Sequence, residues 1–122
     1  MILIDTSVWV HHFKAGNSRL TALLERNAAL THPFVIGELA LGDLRQRELI
    51  GGMLSRLPGA VVATDAEVLS FIGLHALFGR GVGYVDVHLL AAVRLTAGSQ
   101  LWTFDRRLND VAVQLRLAAE RA

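Results

Sequence analysis

Short apolar segments alternate with longer amphipathic segments along the whole chain. Runs rich in β-branched and other apolar residues predict short strands over residues 2–4, 28–31, 60–63 and 101–104. Apolar residues at helical spacing predict helices over residues 7–13, from 18 through 24, 33–41, 43–57, from 64 to a Gly-Arg-Gly break at 79–81, 85–97 and 108–119. Strands separated by helices imply parallel pairing through right-handed crossovers, and hence an α/β fold.

Capping residues mark where several of these helices begin. Thr6 or Ser7 is predicted to cap the first helix, and Ser18 the second. Pro33 suits the first turn of the third helix, because its fixed φ and missing N–H cost nothing there. The segment Thr64-Asp-Ala-Glu has the pattern of a capping box.

The composition predicts a soluble cytoplasmic protein made of one domain, residues 1–122. Of the residues, 52% are hydrophobic, and the chain contains no cysteine, which excludes a disulfide framework, a thiolate zinc site and a cysteine nucleophile. The longest stretch without Asp, Glu, Lys or Arg is residues 68–79, whereas a membrane-spanning helix needs about 20 apolar residues. The segment Met-Ile-Leu-Ile-Asp also lacks the basic region of a signal peptide.

Four carboxylates stand at unusual positions. Asp5 follows the first predicted strand and Asp105 the last, and the carboxyl ends of parallel strands form the usual ligand-binding edge of a sheet. Glu38 lies among apolar helix neighbours, and Asp86 stands near a helix start. Taken singly, Asp5 fits a turn after a strand, and Asp86 fits a helix cap that complements the helix dipole. Taken together, the four acids predict one convergent site.

A convergent carboxylate site indicates a divalent metal. Hard cations such as Mg²⁺ take oxygen ligands, commonly a few carboxylates with water and substrate phosphate. Without the metal, the carboxylates would repel one another and their pKa values would rise. With it, the expected chemistry is hydrolysis at phosphorus, in which one ion activates water and another stabilises the leaving oxygen.

The segments around these acids resemble the PIN-domain family. They are Met-Ile-Leu-Ile-Asp5-Thr-Ser-Val-Trp, Glu38-Leu, Asp86-Val-His-Leu-Leu-Ala-Ala and Leu101-Trp-Thr-Phe-Asp105-Arg-Arg-Leu, in this order along the chain. Within that family the chain is similar to the VapC toxins of bacterial type II toxin–antitoxin modules. The resemblance implies a three-layer α/β/α sandwich with a short central parallel sheet.

The resemblance also implies a function. It is that of a Mg²⁺- or Mn²⁺-dependent endoribonuclease, active as a homodimer in the bacterial cytoplasm and neutralised by a small antitoxin protein. The implied catalytic and metal-binding quartet is Asp5, Glu38, Asp86 and Asp105, and the implied supporting polar residues are Thr6 or Ser7 and Thr103.

The charge distribution allows RNA as the substrate. The net charge is only +1, but removal of the four site acids from the eleven acidic residues leaves seven against twelve basic ones. Arg106 and Arg107 directly follow Asp105 and are the candidates for contacts with RNA phosphates, although solvated arginines are common. Asn109 and Asp110 lie one helical turn beyond Asp105, where they would either add an outer metal ligand or belong to a solvated helix face.

Other interpretations are open or excluded by particular residues. A PIN-fold RNA-binding or protein-interaction module with a vestigial acidic site remains the alternative. A receiver domain is excluded because it needs a lysine late in the chain, whereas the single lysine is Lys14. The five histidines have no convincing zinc spacing, and His88 is expected on a different helix side from Asp86. Trp9 and Trp102 are expected in the core.

Overall fold

The computed structural model describes residues 1–120, in which short strands and helices alternate as the sequence predicts. The order is β1 (Ile2–Ile4), α1 (Thr6–Ala15), α2 (Ser18–Glu25), β2 (Ala29–Leu30), α3 (Pro33–Leu41), α4 (Arg47–Arg56), α5 (Asp65–His75), α6 (Tyr84–Leu95), β3 (Gln100–Trp102) and α7 (Arg106–Gln114). Within these residues, no helix is both long enough and apolar enough to cross a membrane.

A parallel three-stranded sheet in the order β2-β1-β3 lies at the centre. Leu3 of β1 is paired with Leu30 on one side and Leu101 on the other, and Leu3 and Leu101 are fully buried. Such strands are apolar on both faces because helices cover both faces of a parallel sheet. The predicted α/β/α sandwich is therefore the observed architecture.

Helix α6 is the most deeply buried helix among the described residues. All its residues from Val87 to Val93 are buried, and it packs against β3 and α5. Alanines at positions 91 and 92 allow the close approach that a helix enclosed by neighbours needs. Since Asp86 directly precedes this buried stretch, the core fixes the position of its backbone.

The strand predicted over residues 60–63 does not form. Only one bridge, between Thr31 and Gly59, extends the sheet there, and the Ala60 amide donates to the Thr31 carbonyl at 2.9 Å. The chain then turns away, since the next amide, of Val61, donates to Thr96 Oγ1. Val61 is half exposed, so this segment lacks the buried face that would hold it in a sheet.

Two predicted helix caps are also wrong by one or two residues. Asp5 is the N-cap of α1 in place of Thr6 or Ser7, and Asn17 is the N-cap of α2 in place of Ser18. The Asn17 side chain accepts from the Leu20 amide at 3.0 Å. The capping box at Thr64 is confirmed.

The helices predicted over residues 43–57 and 108–119 have different bounds in the structure. Helix α4 begins only after Gln46, whose left-handed φ of 54° interrupts the helix. Helix α7 begins at Arg106, and the chain leaves it through Arg116, which has a φ of 61°. Residues 117–119 run beside β3 instead, with a bridge between Leu101 and Ala118.

Candidate carboxylate site

Asp5 is the buried centre of the candidate site. It follows β1, and its amide donates to the Trp102 carbonyl of β3 at 3.0 Å, so the two strand ends are tied together. Its Oδ2 accepts hydrogen bonds from Ser7 Oγ and Thr103 Oγ1, both at 2.7 Å. The side chain is only 6% exposed, and these two donors compensate for the lost water.

The two hydroxyl groups on Asp5 also hold the loop that follows β3. Ser7 Oγ accepts from the Phe104 amide, and Thr103 Oγ1 accepts from the Asp105 amide, both at 3.0 Å. Each hydroxyl thus donates to the carboxylate and accepts from the backbone, which uses its proton and one lone pair. This network fixes residues 103–105 relative to Asp5.

Asp105 and Glu38 are the exposed members of the quartet. Asp105 caps α7, with Oδ1 accepting from the Leu108 amide at 3.0 Å. Glu38 extends from α3, and its Oε1 accepts from Thr6 Oγ1 at 2.7 Å. The sequence predicts apolar neighbours for Glu38, and these are present, but the residue is exposed because it lies at the flank of the α3 face that buries Val35 and Leu39.

Asp86 is half-buried in the first turn of α6. Its Oδ2 accepts from the Gly83 amide at 3.1 Å, so it does cap the helix, as the simpler interpretation proposes. Burial raises the pKa of Asp86 above its usual value, the Gly83 hydrogen bond opposes that rise, and the charges of Asp5, Asp105 and Glu38 raise it further. The charges of the other three carboxylates therefore act on Asp86.

The quartet is an electrostatic cluster rather than a closed coordination shell. Within the described residues, no three carboxylate or imidazole side chains lie close enough together to be metal ligands of one ion. The donor set nevertheless fits Mg²⁺ or Mn²⁺, because such ions are commonly held by one or two carboxylates, with water and substrate phosphate filling the other positions.

A cleft of about 970 Å³ is linked to the carboxylates through Thr103, which lines the cleft and donates to Asp5, whereas none of the four acids lines it. We call it the Phe104 cleft; its lining includes His11, Arg19, Trp102, Thr103, Phe104 and Arg106. Asn109 and Asp110 also line it.

The two arginines predicted as RNA contacts have different surroundings. Arg106 lines the Phe104 cleft, whereas the guanidinium group of Arg107 lies against Gly81, in the loop before α6. The sequence pattern does not identify Phe104 as a site residue. The available signal was a large aromatic residue between two polar site residues, Thr103 and Asp105, immediately after a strand.

Both tryptophans and two of the histidines are buried in the core. Trp9 and Trp102 are buried, as expected for core residues. His32 and His88 are fully buried too, and both contact the ring of Phe34. Burial, together with the neighbouring His88, lowers the pKa of His32 to about 4.

Comparison with known proteins identifies the family. A family model described as the PIN domain matches residues 2–114. Two relatives, each called Ribonuclease VapC32 and from the CDC 1551 / Oshkosh and H37Rv strains of Mycobacterium tuberculosis, are 45% identical to this chain over 118 residues. Each match covers 97% of this chain and 95% of the relative. The chain thus belongs to the PIN-domain family, in its VapC branch.

Proposed function

We propose that this protein is a metal-dependent endoribonuclease toxin that hydrolyses RNA phosphodiester bonds. One observation carries the proposal: Ser7 and Thr103 hold the buried Asp5 carboxylate, and Thr103 also accepts from the Asp105 amide, so two acids from adjacent strand ends share one hydrogen-bond network. Burial raises the pKa of the nearby Asp86, and the charges of Asp5, Asp105 and Glu38 add to that rise. Such a concentration of negative charge destabilises a fold unless a cation offsets it. The ribonuclease name of the VapC32 relatives supports RNA as the substrate.

Asp5, Glu38, Asp86 and Asp105 would hold Mg²⁺ or Mn²⁺, directly or through water. When bound, the metal supplies an activated water molecule and neutralises charge on the phosphate. Ser7 and Thr103 keep the Asp5 carboxylate oriented, and Thr6 does the same for Glu38. Arg106, exposed next to Asp105, would contact an RNA phosphate.

The proposal includes protein partners. A groove of about 950 Å³ is bounded by α1, α3 and α4, and Glu38 stands at its edge among apolar side chains such as Val10, Phe13 and Leu39. An amphipathic segment of an antitoxin would fit this groove and reach the carboxylates from it. A homodimer, a cytoplasmic location and a single nuclease domain over residues 1–122 belong to the same proposal.

The experiment that tests the chemistry is the Asp5→Asn substitution. Asparagine keeps an oxygen that can accept from Ser7 and Thr103, so the fold should persist while the negative charge is lost. Cleavage of single-stranded RNA with Mg²⁺ or Mn²⁺ should fall by about hundredfold or more, as expected when a metal site loses one ligand.

The matched control is Glu120→Gln, which removes a carboxylate from the exposed end of the described chain. It should cleave RNA like the parent, and EDTA should stop both. A folded Asp5→Asn protein with the parent's cleavage rate would contradict the proposal and favour a non-catalytic PIN module with a vestigial acidic site.

A further inference from the structure

Phe104 is an exposed aromatic residue at the edge of the carboxylate site. Half of its surface is open to solvent, although the two residues before it are buried. It stands between Thr103, which donates to Asp5, and Asp105, which belongs to the quartet. An aromatic ring beside a site for a nucleic acid can serve as a platform on which a base stacks.

The position of Phe104 is fixed before anything binds. Its amide donates to Ser7 Oγ at 3.0 Å. Its ring packs edge-to-face with His11, at a centroid distance of 5.4 Å, and with Trp102, at 5.8 Å. A pre-positioned ring loses little conformational entropy when a ligand stacks on it.

The rest of the Phe104 cleft suits a nucleotide. Two basic residues, Arg19 and Arg106, line it together with one acidic residue, Asp110. Arg19 is itself held, because its guanidinium carbon lies 4.4 Å from the Trp102 ring centroid and its Nη2 donates to the Glu120 carbonyl. The volume of about 970 Å³ is ample for a base with its sugar and phosphate.

We propose that the Phe104 cleft is a nucleotide subsite, in which a base next to the scissile phosphate stacks on Phe104 while Arg106 contacts a phosphate. This rests on the proposed ribonuclease function and adds a subsite to it. Only unpaired bases can be splayed onto an aromatic side chain, so the subsite selects single-stranded RNA. Stacking tolerates every base, so Phe104 supplies affinity rather than a strict sequence.

Binding without metal tests the subsite apart from the chemistry. The probe is a fluorescein-labelled single-stranded RNA of mixed sequence, titrated in EDTA and followed by fluorescence anisotropy. Phe104→Leu should raise the Kd about fivefold or more, as expected for the loss of one stacked base. Phe104→Tyr, which keeps the aromatic ring, should restore binding close to that of the parent.

Phe78→Leu is the matched control. Phe78 is 71% exposed and lies outside the Phe104 cleft, so its replacement should leave the Kd unchanged. With Mn²⁺, Phe104→Leu should raise the KM for RNA and leave kcat near that of the parent. A fall in kcat with unchanged Kd and KM would overturn the subsite, because it would assign Phe104 to the support of the carboxylates.

A double-mutant cycle identifies the base that stacks. Abasic nucleotides are placed one at a time beside the mapped cleavage position. At one position the missing base should weaken binding to the parent but not weaken binding to Phe104→Leu any further. If the losses of binding free energy from the abasic nucleotide and from Phe104→Leu were additive at every position, stacking would be contradicted.

Failure of the subsite and failure of the proposed function give different results. If the parent cleaves RNA and Phe104→Leu binds RNA as tightly as the parent, the subsite is wrong and the nuclease stands. If the parent neither binds nor cleaves RNA, both are wrong.

Discussion

Asp86 carries a charge that the folded chain disfavours. Its raised pKa means that the unfolded chain ionises it more readily, so the electrostatic penalty on folding is full above the folded pKa. The penalty disappears below the pKa of this carboxyl in the unfolded chain, which is about 4. Asp86→Asn should therefore raise the melting temperature of the metal-free protein at neutral pH, and this gain should vanish as the pH approaches 4.

Asparagine is the right replacement for Asp86 because its oxygen can still accept from the Gly83 amide. The comparison is a pair of thermal melts in EDTA, at neutral pH and near pH 4. Glu120→Gln, which removes an exposed carboxylate, should change neither melt. A metal-free Asp86→Asn protein that melts below the parent at neutral pH would show that the quartet does not strain the fold.

His32 gives the opposite pH dependence. Its folded pKa of about 4 lies below the usual value of 6.5. Between these two pH values the unfolded chain therefore binds a proton on His32 that the folded chain does not bind. The contribution of neutral His32 to the free energy of unfolding is fully present above pH 6.5. It is lost as the pH drops toward 4, by about 3 kcal/mol in all. Chemical denaturation at several pH values should show this loss in the parent.

His32→Asn should reduce that loss because asparagine does not titrate. Asparagine also caps helices well, and His32 Nδ1 caps α3 by accepting from the Phe34 amide at 3.0 Å. The decisive quantity is the slope of the unfolding free energy against pH between 4 and 6.5. Equal slopes in parent and variant would mean that folding does not lower the pKa of His32.

Which residues form the site could be predicted better than how exposed each of them is. Asp5 and Asp105 follow adjacent parallel strands, and the topology alone brings such residues together. The exposure of Glu38 could not be predicted, since it depends on which side of α3 faces the core. The exposure of Phe104 could not be predicted either, since the residue follows a buried strand and only the tertiary structure leaves it half exposed.

Among the elements, those with strong local signals were predicted best. Strand β1, helix α3 with Pro33, and the capping box at Thr64 lie where the sequence predicts them. The segment 60–63 has the composition of a strand, but tertiary hydrogen bonds direct it elsewhere. The end of α7 is decided likewise by pairing with β3, which no local pattern reveals.

The loop before α6 depends on Gly81. Its φ is +78°, and a Cβ there would lie 2.8 Å from the Arg107 guanidinium group. Gly81→Ala should therefore cost about 1–2 kcal/mol of stability through left-handed strain, with further cost from displacing Arg107. Because the loop leads into Asp86, RNA cleavage should fall as well.

Gly73→Ala is the control for this prediction. Gly73 lies inside α5, and a Cβ added there would have no neighbouring atom within 4 Å, so alanine should stabilise the protein by about 0.5–1 kcal/mol. Urea unfolding of the two variants should move in opposite directions from the parent. A Gly81→Ala protein as stable as the parent would show that the loop readjusts without cost.

For the whole molecule, the expected consequence of the quartet is stabilisation by metal. A ligand that binds only the folded state at about 100 times its Kd adds about 2.7 kcal/mol of stability. Millimolar Mn²⁺ should therefore raise the melting temperature of the parent relative to EDTA, and raise that of Asp86→Asn by less. A parent that melts identically in both would contradict a metal site in the quartet.

The sheet order also determines when the site is complete during synthesis. The hydrogen bond between Thr103 and Asp5 joins residues 98 positions apart, and β1 pairs with β3, which lies far along the chain from it. A ribosome releases the chain from its N-terminal end, so Asp5 emerges long before the residues that orient it. A nascent chain ending before β3 lacks Thr103 and Asp105 altogether. The carboxylate site therefore cannot be complete on the ribosome until β3 and the residues that follow it have been made.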